Sequence, residues 1–261
     1  MKKFWSIFNL ASVIGIIYWN YLAATGFINN QKMGQLSDEI NSLFTPAGYA
    51  FSIWSLIYLA LLVNAVWYVI KAFKNEEGKI LEQLGPWLSF ANVASGFWLW
   101  FWLNEQFALS VVFMLLILLS LLIAIVKLNM ERLDAPATII GFVWWPVCLY
   151  SGWITVATVT NISAYLKVND FNWLFSEPHW AIILIGISTA IYLYMLWSRY
   201  MREFAAVGMW AFIAIAVRHW GEIQSIANAA ILATVVLAFF SALQGFKYRK
   251  SNPFFKMVFG G

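Results

Sequence analysis

From Pro46 to Ile70 the chain carries no charged residue. At about 1.5 Å of rise per residue, a helix of that length exceeds the hydrocarbon core of a bilayer, about 30 Å thick. The pattern recurs, with uncharged or nearly uncharged runs at about 4–25, 46–70, 86–103, 106–126, 138–165, 178–198, 203–219 and 225–245. The expectation is an all-α polytopic membrane bundle of eight transmembrane helices. The seventh run is the shortest, bracketed by Arg202 and Arg218. Overall, 62% of residues are hydrophobic and 11% are charged, which excludes a soluble domain of this size.

The few charges carry the topology. Connections after the second, fourth and sixth runs hold Lys71, Lys74, Lys79, Lys127, Arg132, Arg199 and Arg202; the ends of the chain add Lys2, Lys3, Lys247, Arg249, Lys250 and Lys256. One side thus collects 13 basic residues, whereas the other has Lys32, Lys167 and Arg218. The positive-inside rule then places both termini in the cytoplasm of a bacterial-type inner (plasma) membrane. The net charge of +4 reflects this topology and implies no nucleic-acid partner. Met1-Lys2-Lys3 before an apolar run resembles a signal peptide, but the run from Phe4 to Gly26 is longer than a signal core of about 7–15 residues, which favours a retained helix.

Within the second run, Thr45-Pro46 has the form of a helix start, with Thr45 as N-cap and Pro46 in the first turn. Trp54 and Tyr58 are one turn apart on one face, each with an apolar ring and one hydrogen-bonding atom. Residues 27–45 are Asn-, Gln- and Ser-rich, and form either a solvated connector or a lid over an outward-facing cavity. In the third run Asn92, Ser95 and Gly96 make a small polar stripe, suited to close helix packing or to a ligand. Trp98, Trp100 and Trp102 follow near its outer end, where an interfacial aromatic belt is expected, and only some of these rings can face inward. Asn104-Glu105-Gln106 is a tight turn that makes the third and fourth helices an antiparallel hairpin, and the Leu/Ile/Val-rich fourth faces lipid. Pro146 sits inside the fifth run, where it frees a carbonyl and kinks the helix. Beyond it Tyr150, Trp153, Ala157 and Asn161 fall on one face.

Several function classes lack their residues. No ionisable group lies mid-span to couple ion or proton transport, no span carries a Schiff-base Lys, and no paired Asp motif could hold magnesium and diphosphate. His179 and His219 are on different helices with no partner at ligand spacing, and Cys148 is the single cysteine, so no metal site is expected. Arg218, His219 and Glu222 cluster where the seventh run ends and are read as a structural cap.

The patterns Pro46-x7-Trp54-x3-Tyr58 and Tyr150-x2-Trp153-x7-Asn161 resemble the tryptophan-rich TspO/MBR family, which includes the mitochondrial translocator protein. The order of an Asn-bearing, Trp-rich third helix, short turn, apolar fourth helix and Trp- and Thr-rich fifth is similar too. The motifs cover residues 1–165, expected as a five-helix core. Residues 166–177 would then be an outer loop, 178–245 a three-helix extension and 246–261 a basic cytoplasmic tail. The resemblance implies an aromatic-lined cavity that binds, senses or transports a porphyrin or other tetrapyrrole such as a haem precursor, or in some members a sterol. Carried over by motif, its wall would be Trp54, Tyr58, Asn92, Trp98, Trp153, Ala157 and Asn161. No cofactor is required, although bound porphyrin, haem or lipid is compatible. Light-driven porphyrin degradation, reported for some members, would make the protein an enzyme. A scaffold without small-molecule ligand is the third alternative. Departures from the family pattern are Gly48 where a Trp is usual, Ser95 three residues after Asn92, and the displaced Pro146.

The extra helices carry small residues, Gly186, Ser188, Thr189 and Ala190 in the sixth, and Ala227, Ala229, Ala230 and Ala233 in the eighth. A separate layer packed through these faces would cover the surface by which such proteins dimerise, favouring a monomer over a homodimer.

Overall fold

The computed structural model describes residues 1–130, 135–171 and 174–247. Arg132 and the basic tail beyond Lys247 lie outside the described residues. Among these residues the chain is all helical, with eight long helices and two short ones. The long helices are α1 (Lys2–Ala24), α3 (Gly48–Lys74), α5 (Trp87–Leu103), α6 (Phe107–Lys127), α7 (Ala137–Val168), α8 (Glu177–Arg199), α9 (Arg202–His219) and α10 (Gln224–Lys247). The short ones, α2 (Met33–Ile40) and α4 (Gly78–Leu84), lie in connections expected to be loops. Six of the long helices are long and apolar enough to cross a membrane. The other two are α5, with 17 residues, and α9, whose ends carry Arg202, Glu203, Arg218 and His219.

α5 and α6 form the expected hairpin. Glu105 takes the left-handed conformation in the turn (φ 59°), the Ser120 hydroxyl donates to the Trp87 carbonyl (2.8 Å), and Phe113 stacks on Phe97 and Phe101. The exposed face of α6 is Leu109, Val112, Leu115, Leu116 and Leu119, whereas Ser110, Met114, Ile117 and Leu121 turn inward. At one end of the bundle Lys2 pairs with Glu82 (3.0 Å), bringing the start of α1 to α4. At the opposite end Asn29 Nδ2 donates to the Leu103 carbonyl (3.1 Å), tying the loop after α1 to the end of α5.

Two local features depart from or extend the sequence expectations. Thr45-Pro46 does not open the helix. Ala47 is extended (φ −57°, ψ 146°) and its N–H donates to the Ala214 carbonyl of α9 (3.2 Å), so α3 begins with a 3₁₀ turn at Gly48–Ser52 and becomes α-helical at Ile53. A distant backbone partner overrides the local capping signal. In α7 a π-helical segment at Ile140–Trp144 precedes Pro146. Pro146 has no N–H to bond the carbonyl of Phe142, one turn back, and Asn64 Nδ2 of α3 donates to that oxygen instead (2.7 Å). In an apolar environment an orphaned carbonyl costs several kcal/mol, on the order of 2–7, so a side chain from the next helix repairs the break.

The last three helices pack on one another and on α7. Tyr192 of α8 is fully buried and donates to the Gly152 carbonyl (2.8 Å), while its ring lies against Gly208 of α9, where an added Cβ would stand 2.7 Å from it. The small stripe expected to pack α8 is mostly outward. Only Ser188 of Gly186, Ser188, Thr189 and Ala190 is buried, because the inward face runs Ala181, Leu184, Ile185, Ser188, Tyr192 and Met195. In α10, Ala227, Ala230 and Ala233 are buried as expected.

Candidate functional site

The helical periods of α3, α5 and α7 converge on one aromatic cluster. Trp54 stacks on Tyr58 (5.2 Å between ring centroids) and meets Tyr150 and Trp153 of α7 edge-on at 6.0 and 6.5 Å. Phe51 approaches Trp153 at 5.9 Å, and Trp98 stacks on Trp102 at 6.4 Å. Between them is a pocket walled by Pro46, Phe51, Trp54, Trp98, Trp102, Trp153, Ala157, Thr160 and Asn161, and roofed by Met33 and Ser37 of α2. Its volume is about 40 Å³, room for a water molecule and not for a planar macrocycle. None of the residues that wall it belongs to α8, α9 or α10.

Of the seven residues expected at the site, Trp54, Trp98, Trp153, Ala157 and Asn161 share this wall. Tyr58 supports it from behind by stacking on Trp54, its buried hydroxyl lacking a partner among the described residues. Asn92 is elsewhere. Its Nδ2 donates to Ser12 Oγ of α1 (3.1 Å), on the other side of α5. Pro46, Phe51, Trp102, Thr160, Met33 and Ser37 were not among the seven, although Met33 and Ser37 lie in residues 27–45, read as either a connector or a lid. Trp102 follows Trp98 by four residues, a spacing that selects those two rings and leaves Trp100 outside. The buried Leu36 and the half-buried Met33 and Ile40, at helical spacing, similarly mark α2 inside a polar stretch.

Asn161 is engaged on both sides of its amide. Its Oδ1 accepts from the Trp98 indole N–H (3.1 Å) and its Nδ2 donates to Ser110 Oγ (2.9 Å), while Ser110 donates to the Phe107 carbonyl (2.7 Å). It therefore ties α7 to α5 and α6 and offers a ligand little that is unspent. Trp102 is different: it is buried, it walls the pocket, and its indole N–H has no partner among the described residues. That donor is unspent within the fold.

A second, larger cavity lies on the outer surface between α1 and α5. It is an open groove of about 610 Å³, lined by Ser12, Gly15, Trp19, Asn92, Gly96 and Trp100 among others. Trp19 stacks on Trp100 (6.2 Å) and donates to the Gly96 carbonyl (3.1 Å), closing one end. Among the described residues no group of His, Cys, Asp and Glu could hold a metal ion.

A family model described as TSPO-like protein matches residues 6–243. No curated protein and no solved structure matches this chain. The match does not stop at residue 165, where the motifs end, but runs through the last three helices. A bundle of apolar helices closed around a tryptophan-walled pocket, matched over nearly its whole length, places this chain in the TSPO-like protein family, as a helical membrane protein.

Proposed function

We propose that this protein binds a flat, largely apolar small molecule of the tetrapyrrole class in the pocket beneath α2, with all eight long helices crossing the membrane and both termini cytoplasmic. The observation that carries the reading is the aromatic box of Phe51, Trp54, Trp98, Trp102 and Trp153 with one buried indole N–H, that of Trp102, left unpaired. Rings of this kind give a planar ligand area burial and stacking, and an unspent indole N–H orients its polar edge. At about 40 Å³ the pocket is closed, so binding requires α2, which carries Met33 and Ser37, to swing away. In this reading α2 is the lid over an outward-facing site.

The test is a protoporphyrin titration of the purified protein followed by tryptophan fluorescence quenching. Trp153→Ala should weaken binding by about 1–3 kcal/mol, the scale of a large buried apolar side chain, or roughly 5- to 150-fold. Trp100→Ala, on the other face of α5, should leave affinity within about twofold. Equal losses from both would mean that the rings act through general stability. A flat response to porphyrins and sterols alike would favour a scaffold.

A further inference from the structure

The segment that roofs the pocket is jointed at both ends and fastened at one of them by α9. α2 is preceded by Asn29 and Asn30 (φ 52° and 53°) and followed by Asn41 (φ 50°), all left-handed, a conformation that Asn adopts at small cost. The chain thus turns sharply on either side of the roof. Before α2 the tie is the bond from Asn29 to the end of α5. After α2 the ties are denser and come from α7 and α9. Lys167 Nζ donates to the Asn41 carbonyl (2.7 Å), Ser42 and Ser163 share a hydroxyl bond (2.6 Å), and His219 Nε2 donates to the Leu43 carbonyl (2.8 Å).

Arg218, also of α9, reaches α2 itself. One nitrogen of its guanidinium, Nη1, lies 3.2 Å from Asp38 Oδ1 within α2 and 3.4 Å from the carbonyl of Pro46 in the pocket wall. The other, Nη2, donates to Asn41 Oδ1 at the joint (2.9 Å). A rigid planar fork is the group able to hold three such points at once. The Arg218 side chain is 17% exposed and that of Asp38 63% exposed, so the ion pair is largely solvated and breakable. A fastening of that strength holds a roof closed without locking it.

We propose that Arg218 is the latch of α2: breaking its contacts to Asp38 and Asn41 opens the pocket, so that α9 sets how fast a ligand enters and leaves. The part of this that concerns ligand rests on the pocket being the binding site, whereas the opening itself does not. It assigns the last three helices a role at a pocket that they do not line.

Opening is read without ligand by thiol labelling of the full-length protein in detergent. Cys148 is buried, and Ser37→Cys puts a thiol on the roof at a position 5% exposed. Against a water-soluble maleimide, labelling should accelerate about threefold or more with Asp38→Asn and with Arg218→Lys, and about tenfold or more with Arg218→Ala, following the number of charge-assisted bonds lost. A Ser12→Cys control in the α1/α5 groove should not change. Asp38→Asn alters only an exposed group, so the proposal remains testable if Arg218→Ala unfolds. Labelling rates equal to that of the intact latch in Asp38→Asn and Arg218→Lys would overturn it. The ligand arm is stopped-flow quenching by protoporphyrin, in which both association and dissociation should quicken in the same variants while the equilibrium constant moves less. Faster labelling with no porphyrin bound would keep the latch and sink the binding reading. Normal quenching with unchanged labelling would do the reverse.

Discussion

The pocket beneath α2 and the groove between α1 and α5 share a helix, and each has an asparagine and tryptophans, yet they are built oppositely. The pocket holds about 40 Å³ and the groove about 610 Å³. In the pocket Asn161 spends both ends of its amide on α5 and α6, whereas in the groove the Oδ1 of Asn92 is buried without a partner among the described residues. Trp98 and Trp102 turn to the pocket, and Trp100, two residues from each, is 44% exposed on the groove side. One helix therefore furnishes two compartments by its period alone. Size is a poor guide between them, because the small one has its aromatic rings fixed by mutual contacts and a roof, and the large one is open at the surface of the bundle.

Stability should separate the two regions most. Asn161→Leu strands the buried Trp98 N–H and should cost about 1–3 kcal/mol, visible as a lower thermal unfolding temperature in detergent. Asn92→Leu loses one bond to Ser12 but also removes an unpaired oxygen, and should stay within about 1 kcal/mol. The opposite ranking would make the groove the structural centre. A smaller and more selective effect is expected of Trp102→Phe, which keeps most of the ring and deletes the donor. Protoporphyrin affinity should fall by about 0.5–1.5 kcal/mol while stability holds or rises, since an unsatisfied group is gone. Lower stability with unchanged affinity would show that the indole N–H serves the fold. Smallest of all is Gly96→Ala in the groove. Its new Cβ would meet Ile16 and Trp19 at 3.9 Å, ordinary contact, so both stability and porphyrin binding should stay within about 0.5 kcal/mol. A clear loss of binding there would move the site to the groove.

What could be read from the chain was what a single helix decides. The Trp54/Tyr58 stack and the shared face of Trp153, Ala157 and Asn161 follow from the helical period, and the eight long helices follow from uncharged length. What escaped was decided between distant elements. The start of α3 depends on a backbone bond from Ala47 to Ala214, far away in sequence. Asn92 has the residue type of a site group, but its partner is Ser12 of α1, on the other side of α5. α2 was masked by the Asn, Gln and Ser around it, although Met33, Leu36 and Ile40 keep a helical spacing. The family's aromatic motifs also end by residue 165, whereas the family match continues to residue 243.

The repair of α7 by α3 has a consequence for how such chains can change over time. Pro146 and Asn64 are far apart in the sequence, but they answer for a single oxygen, that of Phe142. A chain that exchanged Pro146 for an ordinary residue would recover its backbone bond and leave an idle amide buried between α3 and α7. One that exchanged Asn64 first would leave the oxygen bare. Either single step is uphill and the double step is nearly level, so descendants of this sequence should keep the two together or lose them together.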